Sequence, residues 1–273
     1  MKLLKKLLLL STLTMSVTSC NGARKDIMGY FDYGIYPQKL ITSENMINQL
    51  NEIASPDEHG YYHLQSSLYR CEIAHPWRSN LTFSDGKTPI IEGNKYWFKV
   101  DPVTWNIIAE DDGIYYVTSA YVIDEDYFDL IDEDYYGLDE ASFKNSHILD
   151  TLHTMYADIF SDQEYVIEET ILEYGKDGEN NFTEKLFLLS DEDLTKKVYG
   201  FNDDNRMVPL TDYALCKGGC KSYWTRTQSQ MVGGISFVKA VGETGQIVEM
   251  DSRSTLGIRP AFRVTTEPYI EKE

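Results

Sequence analysis

A tryptophan and two arginines in the last third of the chain are the residues best suited to binding chemistry. Trp224 and Arg226 lie in the segment 223–227, which reads YWTRT, and Arg259 lies in the segment 257–262, which reads GIRPAF. An indole ring can stack on a ligand, and a guanidinium can grip an anionic group or a sugar through its planar fork of donors. We therefore consider Trp224 and Arg226 a candidate ligand-binding patch.

The alternative interpretation of both arginines is structural. Each lies within an apolar strand pattern, where a guanidinium can brace carboxylates or carbonyls inside a fold. Arg226 and Arg259 would then pair with acids such as Asp101 or Asp212 and fasten a sheet. We expect this structural role for Arg259, and both alternatives stay open for Arg226.

Two cysteines stand close together just before that segment. Cys216 and Cys220 are separated by Lys-Gly-Gly, and the two glycines would let the backbone turn sharply enough for a disulfide. The alternative is that both are small buried residues. Beyond Cys20, the remaining cysteine is Cys71, and three cysteines leave at least one thiol unpaired.

The acidic and aromatic stretch 124–140 is the natural place to look for a calcium site. When it is aligned from Asp132 as an EF-hand loop, Tyr136 falls at the fifth position and Phe143 at the twelfth, where oxygen ligands are needed. We therefore predict a solvated acidic loop and no metal site.

The sequence contains none of the common catalytic motifs that we considered. The sequence contains no nucleophile elbow, no His-Glu-x-x-His pattern and no phosphate loop. His147 and His153 are six residues apart, which is not the spacing of a helical metal pair, so we interpret them as surface or capping residues. The sequence predicts no catalytic residue, no metal and no cofactor.

Cys20 is the strongest functional candidate at the other end of the chain. Three lysines and an apolar run over residues 7–17 precede it, which is the pattern of a secretory signal, and a run of about eleven residues is too short to span a bilayer. The sequence Val-Thr-Ser-Cys at 17–20 resembles the lipobox of bacterial lipoproteins. The resemblance implies a signal peptide over residues 1–19 and a diacylated Cys20 as the mature N-terminus, and the alternative is an ordinary signal peptide with a chance cysteine.

The charge of the chain limits its partners. The formal charge is −19, and removal of residues 1–19, which contain three lysines and no acid, would make it −22. Such a surface repels phosphate backbones and anionic headgroups. The charge therefore disfavours nucleic acid, and we predict no nucleic-acid partner and contact with the membrane through the lipid. The apolar content of 42% supports a packed core in one domain.

Periodicity and capping residues predict a mixture of helices and strands. Ser43, Ser146 and Ser190 are predicted N-caps, and a capping box at 161–164 predicts another helix. The predicted helices are 44–54, 146–160 and 191–197, and the main predicted strands are 95–100, 103–109, 114–119, 185–189, 234–241, 246–250 and 257–264.

Six segments in order resemble an uncharacterised bacterial domain-of-unknown-function family found in exported proteins. They are 33–38 (YGIYPQ), 96–105 (YWFKVDPVTW), 144–146 (KNS), 187–190 (FLLS), 223–226 (YWTR) and 257–261 (GIRPA). The resemblance implies one domain over 30–265, with a linker at 20–29, an insertion at about 40–90 and an acidic tail at 266–273. In such proteins helix 146–160 carries an arginine and a tryptophan, where Leu149 and Thr151 stand here.

The closing pattern also resembles the end of C-type-lectin-like and formylglycine-generating-enzyme-like domains. This resemblance implies an α+β fold with a twisted antiparallel sheet and flanking helices. The paired cysteines that bind copper in the latter enzymes are not matched by the sequence around Cys216 and Cys220. Because fold does not determine function, three functions stay open. The first is a lipid-anchored, surface-exposed binding or adhesion module for a glycan or a protein, the second an envelope enzyme acting on glycan or protein, and the third a structural envelope lipoprotein. The oligomeric state is left open.

Overall fold

The computed structural model describes residues 29–130, 142–160, 163–175, 178–179, 181–232 and 234–265. Cys20 with the predicted signal peptide, the proposed EF-hand alignment from Asp132 and the acidic tail lie outside the described residues. In the part of the chain that is described, no helix is both long enough and apolar enough to cross a membrane.

The described chain folds into a mixed α+β structure, as predicted. The helices are α1 (Glu44–Asn51), α2 (His147–Ile159), α3 (Asp191–Thr195), α4 (Asp203–Arg206) and α5 (Asp212–Lys217). The strands are β1 (Gly29–Leu40), β2 (Tyr62–Leu64), β3 (Ser67–Ile73), β4 (Lys95–Asp111), β5 (Ile114–Ser119), β6 (Asp124–Tyr127), β7 (Val166–Ile167), β8 (Glu169–Ile171), β9 (Tyr174–Gly175), β10 (Gly178–Glu179), β11 (Phe182–Glu184), β12 (Phe187–Leu188), β13 (Tyr223–Val232), β14 (Ile235–Val241), β15 (Ile247–Asp251), β16 (Thr255–Ile258) and β17 (Pro260–Thr265). Single 3-10 turns lie at 143–145, 163–165 and 197–199.

The larger sheet has eight strands and is built around the long strand β4. Strand β1 runs antiparallel along one edge of β4, while β3 and then β5 pair with the other edge. The sequence predicts two strands broken at Asp101-Pro102, and this prediction is wrong because β4 continues through Pro102. On one edge the ladder with β3 ends at Lys99 and the ladder with β5 begins at Trp105, so Pro102 lies where no neighbour on that edge requires an N–H.

The smaller sheet has five strands in the order β15-β14-β13-β16-β6. All neighbours in it are antiparallel except β13 and β16, which run parallel. The sequence predicts one strand over 257–264, but the chain leaves the smaller sheet after Ile258 and joins the larger sheet at Pro260. A proline cannot donate to a continuing ladder, so the change of sheet occurs at the residue between them, Arg259.

Helix α2 covers the core, as its apolar periodicity predicts. The Ser146 hydroxyl accepts from the Leu149 amide and caps the helix, and Ile148, Leu152 and Ile159 are fully buried. The helix predicted after 161–164 is wrong, because only the 3-10 turn 163–165 precedes strand β7. Val166 in β7 is buried against β17, so tertiary packing overrides the capping signal.

The segment 40–90 packs on the same sheet and supplies α1, β2 and β3. Leu50, Tyr69 and Trp97 form a small second core between α1 and the β3–β4 pair. The Trp97 indole donates to the Asn51 side chain over 2.9 Å, which fastens the end of α1 to β4.

Candidate functional site

Trp224, half of the predicted ligand patch, lies inside the core. Its side chain is 1% exposed, its ring packs edge-on against Phe128 at 5.5 Å, and its indole Nε1 donates to the Asp126 carbonyl over 3.0 Å. No face of this ring is open to a ligand, and its hydrogen bond fastens β13 to β6.

Arg226 joins β13 to the elements that precede it. Its Nη2 lies 2.8 Å from Asp193 Oδ2, and its Nη1 donates to the Leu188 carbonyl over 2.6 Å. Burial by itself would raise the pKa of Asp193, but Arg226 and the bonds from Ser190 outweigh it and leave that pKa below its ordinary value. The partner acid is therefore Asp193 in α3.

The two acids named from the sequence have other contacts. Asp101 pairs with Lys99 at 2.5 Å. Asp212 accepts from the amides of Leu40 and Ser84 over 3.0 and 2.8 Å. Neither is paired with an arginine among the described residues.

Arg259 sits at the junction of the two sheets and is 2% exposed. Its Nε donates to the Ser119 carbonyl over 3.0 Å and its Nη1 to the Tyr223 hydroxyl over 3.0 Å. The guanidinium carbon lies 5.5 Å from the Tyr223 ring centre and 5.8 Å from that of Phe201. No acid among the described residues pairs with it, so carbonyls, a hydroxyl and aromatic faces accommodate this cation.

The cysteines at 71, 216 and 220 are all free thiols in the structure. Cys216 ends the buried face of α5, and burial raises its pKa above the ordinary value. Cys220 follows the two glycines, and its backbone amide is bound to Glu125. The tight turn between Cys216 and Cys220 is therefore held by a carboxylate, without a disulfide bond.

The histidines singled out from the sequence are paired with acids at the surface. His147 begins α2, stacks on Tyr127 at 4.0 Å and lies 3.1 Å from Asp126 Oδ2. His153 lies 2.8 Å from Glu184 Oε2. In the described ranges, no three His, Cys, Asp or Glu side chains are arranged to hold a metal ion.

A cluster of titratable side chains between β1, β6 and α5 has no counterpart in the sequence predictions. Asp124, 3% exposed, accepts from the Tyr36 hydroxyl over 2.5 Å and pairs with Lys217 Nζ at 2.6 Å. Burial, and after it the charge of Asp124, raises the pKa of Tyr36 well above its ordinary value. Tyr36 is therefore a hydrogen-bond donor, and Asp124 is the anion that it and Lys217 share.

Glu125 is the most unusual member of this region. It is 2% exposed, its Oε1 accepts from the Cys220 amide over 2.7 Å, and its Oε2 is buried without a hydrogen-bond partner in the described structure. Burial first, and the charge of Asp124 in addition, raise the pKa of Glu125 well above its ordinary value. A Cβ at position 218 would overlap Oε2, so any residue other than glycine there requires the buried Glu125 side chain to shift.

The outer side of the loop 218–220 carries an exposed tryptophan. The Trp77 amide donates to the Gly218 carbonyl over 2.9 Å and its indole Nε1 to the Gly219 carbonyl over 3.1 Å. The ring is 50% exposed, and the Arg78 guanidinium carbon lies 4.6 Å from its centre. All four tryptophans are described, and the other three are at most 6% exposed.

Two exposed isoleucines lie before and after Trp77 in the chain, Ile73 at the end of β3 and Ile91 shortly before β4. Ile73 is 41% and Ile91 49% exposed, and they flank a turn closed by bonds from Ala74 N to Asn94 O and from Gly93 N to Ala74 O, at 2.8 and 2.9 Å. We call Trp77 and Arg78, whose side chains are in contact, the Trp77 platform.

A known family matches the second half of the chain. The family described as "Domain of unknown function (DUF6273)" matches residues 118–266. The chain belongs to this family. No curated protein and no solved structure shows significant similarity to the chain. The DUF6273 region contains Asp124, Glu125 and the loop 218–220, whereas Tyr36 and the Trp77 platform lie before it.

Proposed function

We propose that this protein is a lipid-anchored, surface-exposed binding module, of C-type-lectin-like architecture, whose contact surface is the Trp77 platform. The supporting observation is the half-exposed Trp77 ring, which two hydrogen bonds hold to the backbone of the loop 218–220. Contacts by fixed aromatic rings cost little conformational entropy, and tryptophan and arginine are enriched among the residues that dominate binding energies.

The chemistry of the platform fits a glycan or protein ligand. An indole offers apolar stacking area, and the Arg78 guanidinium beside it offers planar hydrogen-bond donors. The formal charge of −19 argues against nucleic acid as the ligand.

The anchoring part of the proposal rests on Cys20 and has its own test. Globomycin blocks the peptidase that processes lipoprotein precursors, so treated cells should accumulate an uncleaved precursor. A Cys20→Ala variant should stay uncleaved without the drug. Normal processing in the presence of globomycin would exclude the lipid at Cys20.

The binding part is tested on a glycan and protein array with the domain from Asn21 onward. Arrays are probed with wild type, with Trp77→Ala and with Tyr121→Ala, which removes a 38% exposed aromatic side chain outside the platform. We expect hits that Trp77→Ala loses by about tenfold or more and Tyr121→Ala retains. Hits retained by both variants would show that the contact surface lies elsewhere on the protein.

The array is run with calcium and with chelator. A hit that requires calcium would contradict the prediction that the acidic stretch 124–140 holds no metal site. The other part of that prediction, a solvated loop, is wrong for residues 124–127, which form β6 with Asp124 and Glu125 buried.

A second candidate function is an envelope enzyme acting on glycan or protein. Its support is the convergence of Tyr36, Asp124 and Lys217, because buried titratable groups in contact are a common feature of active sites. Turnover of an envelope glycan or protein that Lys217→Met abolishes, in a variant that folds normally, would favour this candidate. A structural lipoprotein, the third candidate, predicts neither array hits nor turnover.

A further inference from the structure

Trp77 and Glu125 are linked through one peptide unit. The indole Nε1 donates to the carbonyl of Gly219, and the amide of Cys220, which belongs to the same peptide unit, donates to Glu125 Oε1 over 2.7 Å. This peptide unit is held from both sides, so it cannot leave one partner without disturbing its bond to the other. The exposed ring is therefore connected to a buried carboxyl.

The preceding peptide unit is held in the same way. The Gly218 carbonyl accepts from the Trp77 amide over 2.9 Å, and the Gly219 amide of that unit donates to the Ala214 carbonyl of α5 over 3.2 Å. The loop 218–220 thus has the Trp77 segment on its outer side and Glu125 and α5 on its inner side. A displacement of this loop must either carry the Trp77 ring along or break the two hydrogen bonds that fix it.

Burial is the largest effect on the pKa of Glu125 and favours its neutral form, and the backbone amide of Cys220 and the charge of Lys217 oppose it without outweighing it. The charged and titratable groups that act on it are Asp124 from its own strand and Lys217 from α5, and Glu243 acts on Cys220 in the covering loop. Lys217 is already paired with Asp124 at 2.6 Å. An ionised Glu125 would be a second buried anion beside Asp124, with one oxygen lacking a donor.

No group on the neighbouring strand offsets that charge. The residue opposite Glu125 on β16 is Gly257, which has no side chain. On β6, the next acid, Asp126, is engaged by His147 and Thr151 of α2. Because Glu125 is 2% exposed, water reaches an ionised carboxylate only if the loop 218–220 moves off it, and water then replaces the Cys220 amide as donor.

We propose that protonation of Glu125 closes the loop 218–220 and fixes the Trp77 ring, and that proton release opens the loop and frees the ring. The binding surface is then ordered at acidic pH and loosened as the pH rises. The inference rests on the proposed function for its consequence to ligand binding. The movement itself is measured without a ligand.

Trp77 provides its own probe, because the other three tryptophans are buried. The full-length protein in detergent micelles is titrated from pH 4.5 to pH 9, and quenching of tryptophan fluorescence by acrylamide is measured at each pH. Opening of the loop releases one proton from Glu125. As long as the closed form stays protonated, the ratio of molecules with a free ring to molecules with a fixed ring should therefore rise about tenfold per pH unit. Quenching should rise with pH accordingly.

Glu125→Gln keeps the shape of the side chain and removes its charge, so its quenching should be independent of pH. Glu125→Leu is also uncharged, so its quenching should be equally independent of pH. It replaces Glu125→Gln in the experiment if that variant does not fold. A wild-type protein whose quenching is independent of pH overturns the proposal, as does a Glu125 variant that keeps the wild-type transition.

Two further variants assign the signal. Trp77→Phe should abolish the pH-dependent quenching, and its persistence would place the movement elsewhere and overturn the proposal. His75→Gln, two residues from Trp77, should keep the transition, because histidine is the side chain that ordinarily titrates between pH 5 and 8. Loss of the transition in His75→Gln would overturn the role of Glu125.

The array and the titration separate the two hypotheses. Hits that depend on Trp77, together with pH-independent quenching, would leave the binding function standing and remove the switch. A transition that depends on Glu125, without any hit, would leave the switch standing and remove the proposed binding function.

Discussion

Trp77 and Glu125 lie on opposite sides of the Gly219–Cys220 peptide unit, which accepts from the indole and donates to the carboxyl. The carboxyl belongs to the DUF6273 region, and the ring belongs to the segment that precedes it. The Trp77 platform is thus held in place by hydrogen bonds from a preceding segment to the backbone of the family domain. In the proposed switch, the order of the Trp77 ring depends on Glu125, which is itself buried.

Glu125→Gln should stabilise the protein at neutral pH. Because burial raises the pKa of Glu125 in the folded state, its contribution is fully present below the unfolded pKa and declines as pH rises towards the folded pKa. Between those values the wild type loses up to about 1.4 kcal/mol per pH unit from this group. Urea unfolding at pH 4.5 and pH 7.5 should show a smaller difference between the two pH values for the variant.

Glu92→Gln is the matched control for that measurement. Glu92 is an exposed acid that pairs with His75 at 2.9 Å in the same part of the fold. Its removal should leave the pH dependence of the free energy of unfolding close to that of wild type. A Glu125→Gln variant that is no more stable than wild type at pH 7.5 would contradict the assignment of Glu125 as a buried neutral carboxyl.

Gly218→Ala should destabilise the protein by about 1–3 kcal/mol through overlap of the new methyl group with Glu125 Oε2. The backbone φ at Gly218 is −163°, so the cost comes from contact and not from a left-handed conformation. The measurement is a double-mutant cycle with Glu125→Ala, which removes the overlapping oxygen. Additive effects of the two substitutions would show that the close approach is not the cause.

Local signals in the sequence predicted the elements that depend on near neighbours. Ser146 and Ser190 cap α2 and α3 as expected, since a cap and its helix lie within a few residues. Two other features depend on which strands pair with a segment in space. They are the continuity of β4 through Pro102 and the change of sheet at Arg259. That information is not contained in the periodicity of either segment.

The candidate site was harder to predict for the same reason. Trp224 is buried by β6, about a hundred residues earlier in the chain, so its sequence neighbours could not reveal its exposure. Asp124 and Glu125 stand in an acidic run whose composition indicates a solvated loop, and the burial of two adjacent acids leaves no trace in composition. Trp77 follows a histidine and a proline in an irregular segment, where no alternation marks a ring as exposed or buried.

Arg226→Ala should cost about 3 kcal/mol at neutral pH, because it leaves the buried Asp193 carboxylate without its guanidinium. The contacts hold the pKa of Asp193 below its ordinary value, so this pair stabilises the protein above the unfolded pKa of about 4 and is lost as pH falls through the folded pKa. The difference between variant and wild type should therefore shrink in acid. Urea unfolding at pH 7 and pH 3.5 measures it.

Arg253→Ala is the control for Arg226, because Arg253 pairs with Asp251 at the surface, with side chains 47% and 29% exposed. An exposed pair contributes about 0–1 kcal/mol. A cost for Arg226→Ala no larger than that of Arg253→Ala would mean that the buried pair does not fasten β13 to α3.

Arg259→Ala should destabilise by a similar amount, about 3 kcal/mol, but with a different dependence on pH. Its partners are the Ser119 carbonyl, the Tyr223 hydroxyl and two aromatic faces, and no carboxylate pairs with it among the described residues. The cost should therefore be the same at pH 3.5 and pH 7, whereas that of Arg226→Ala shrinks. Arg259→Lys should recover only part of the loss, because an ammonium cannot match the planar fork that reaches both sheets. If the cost of Arg259→Ala shrinks in acid, an acidic partner contributes, and the junction between the sheets is held by an ion pair after all.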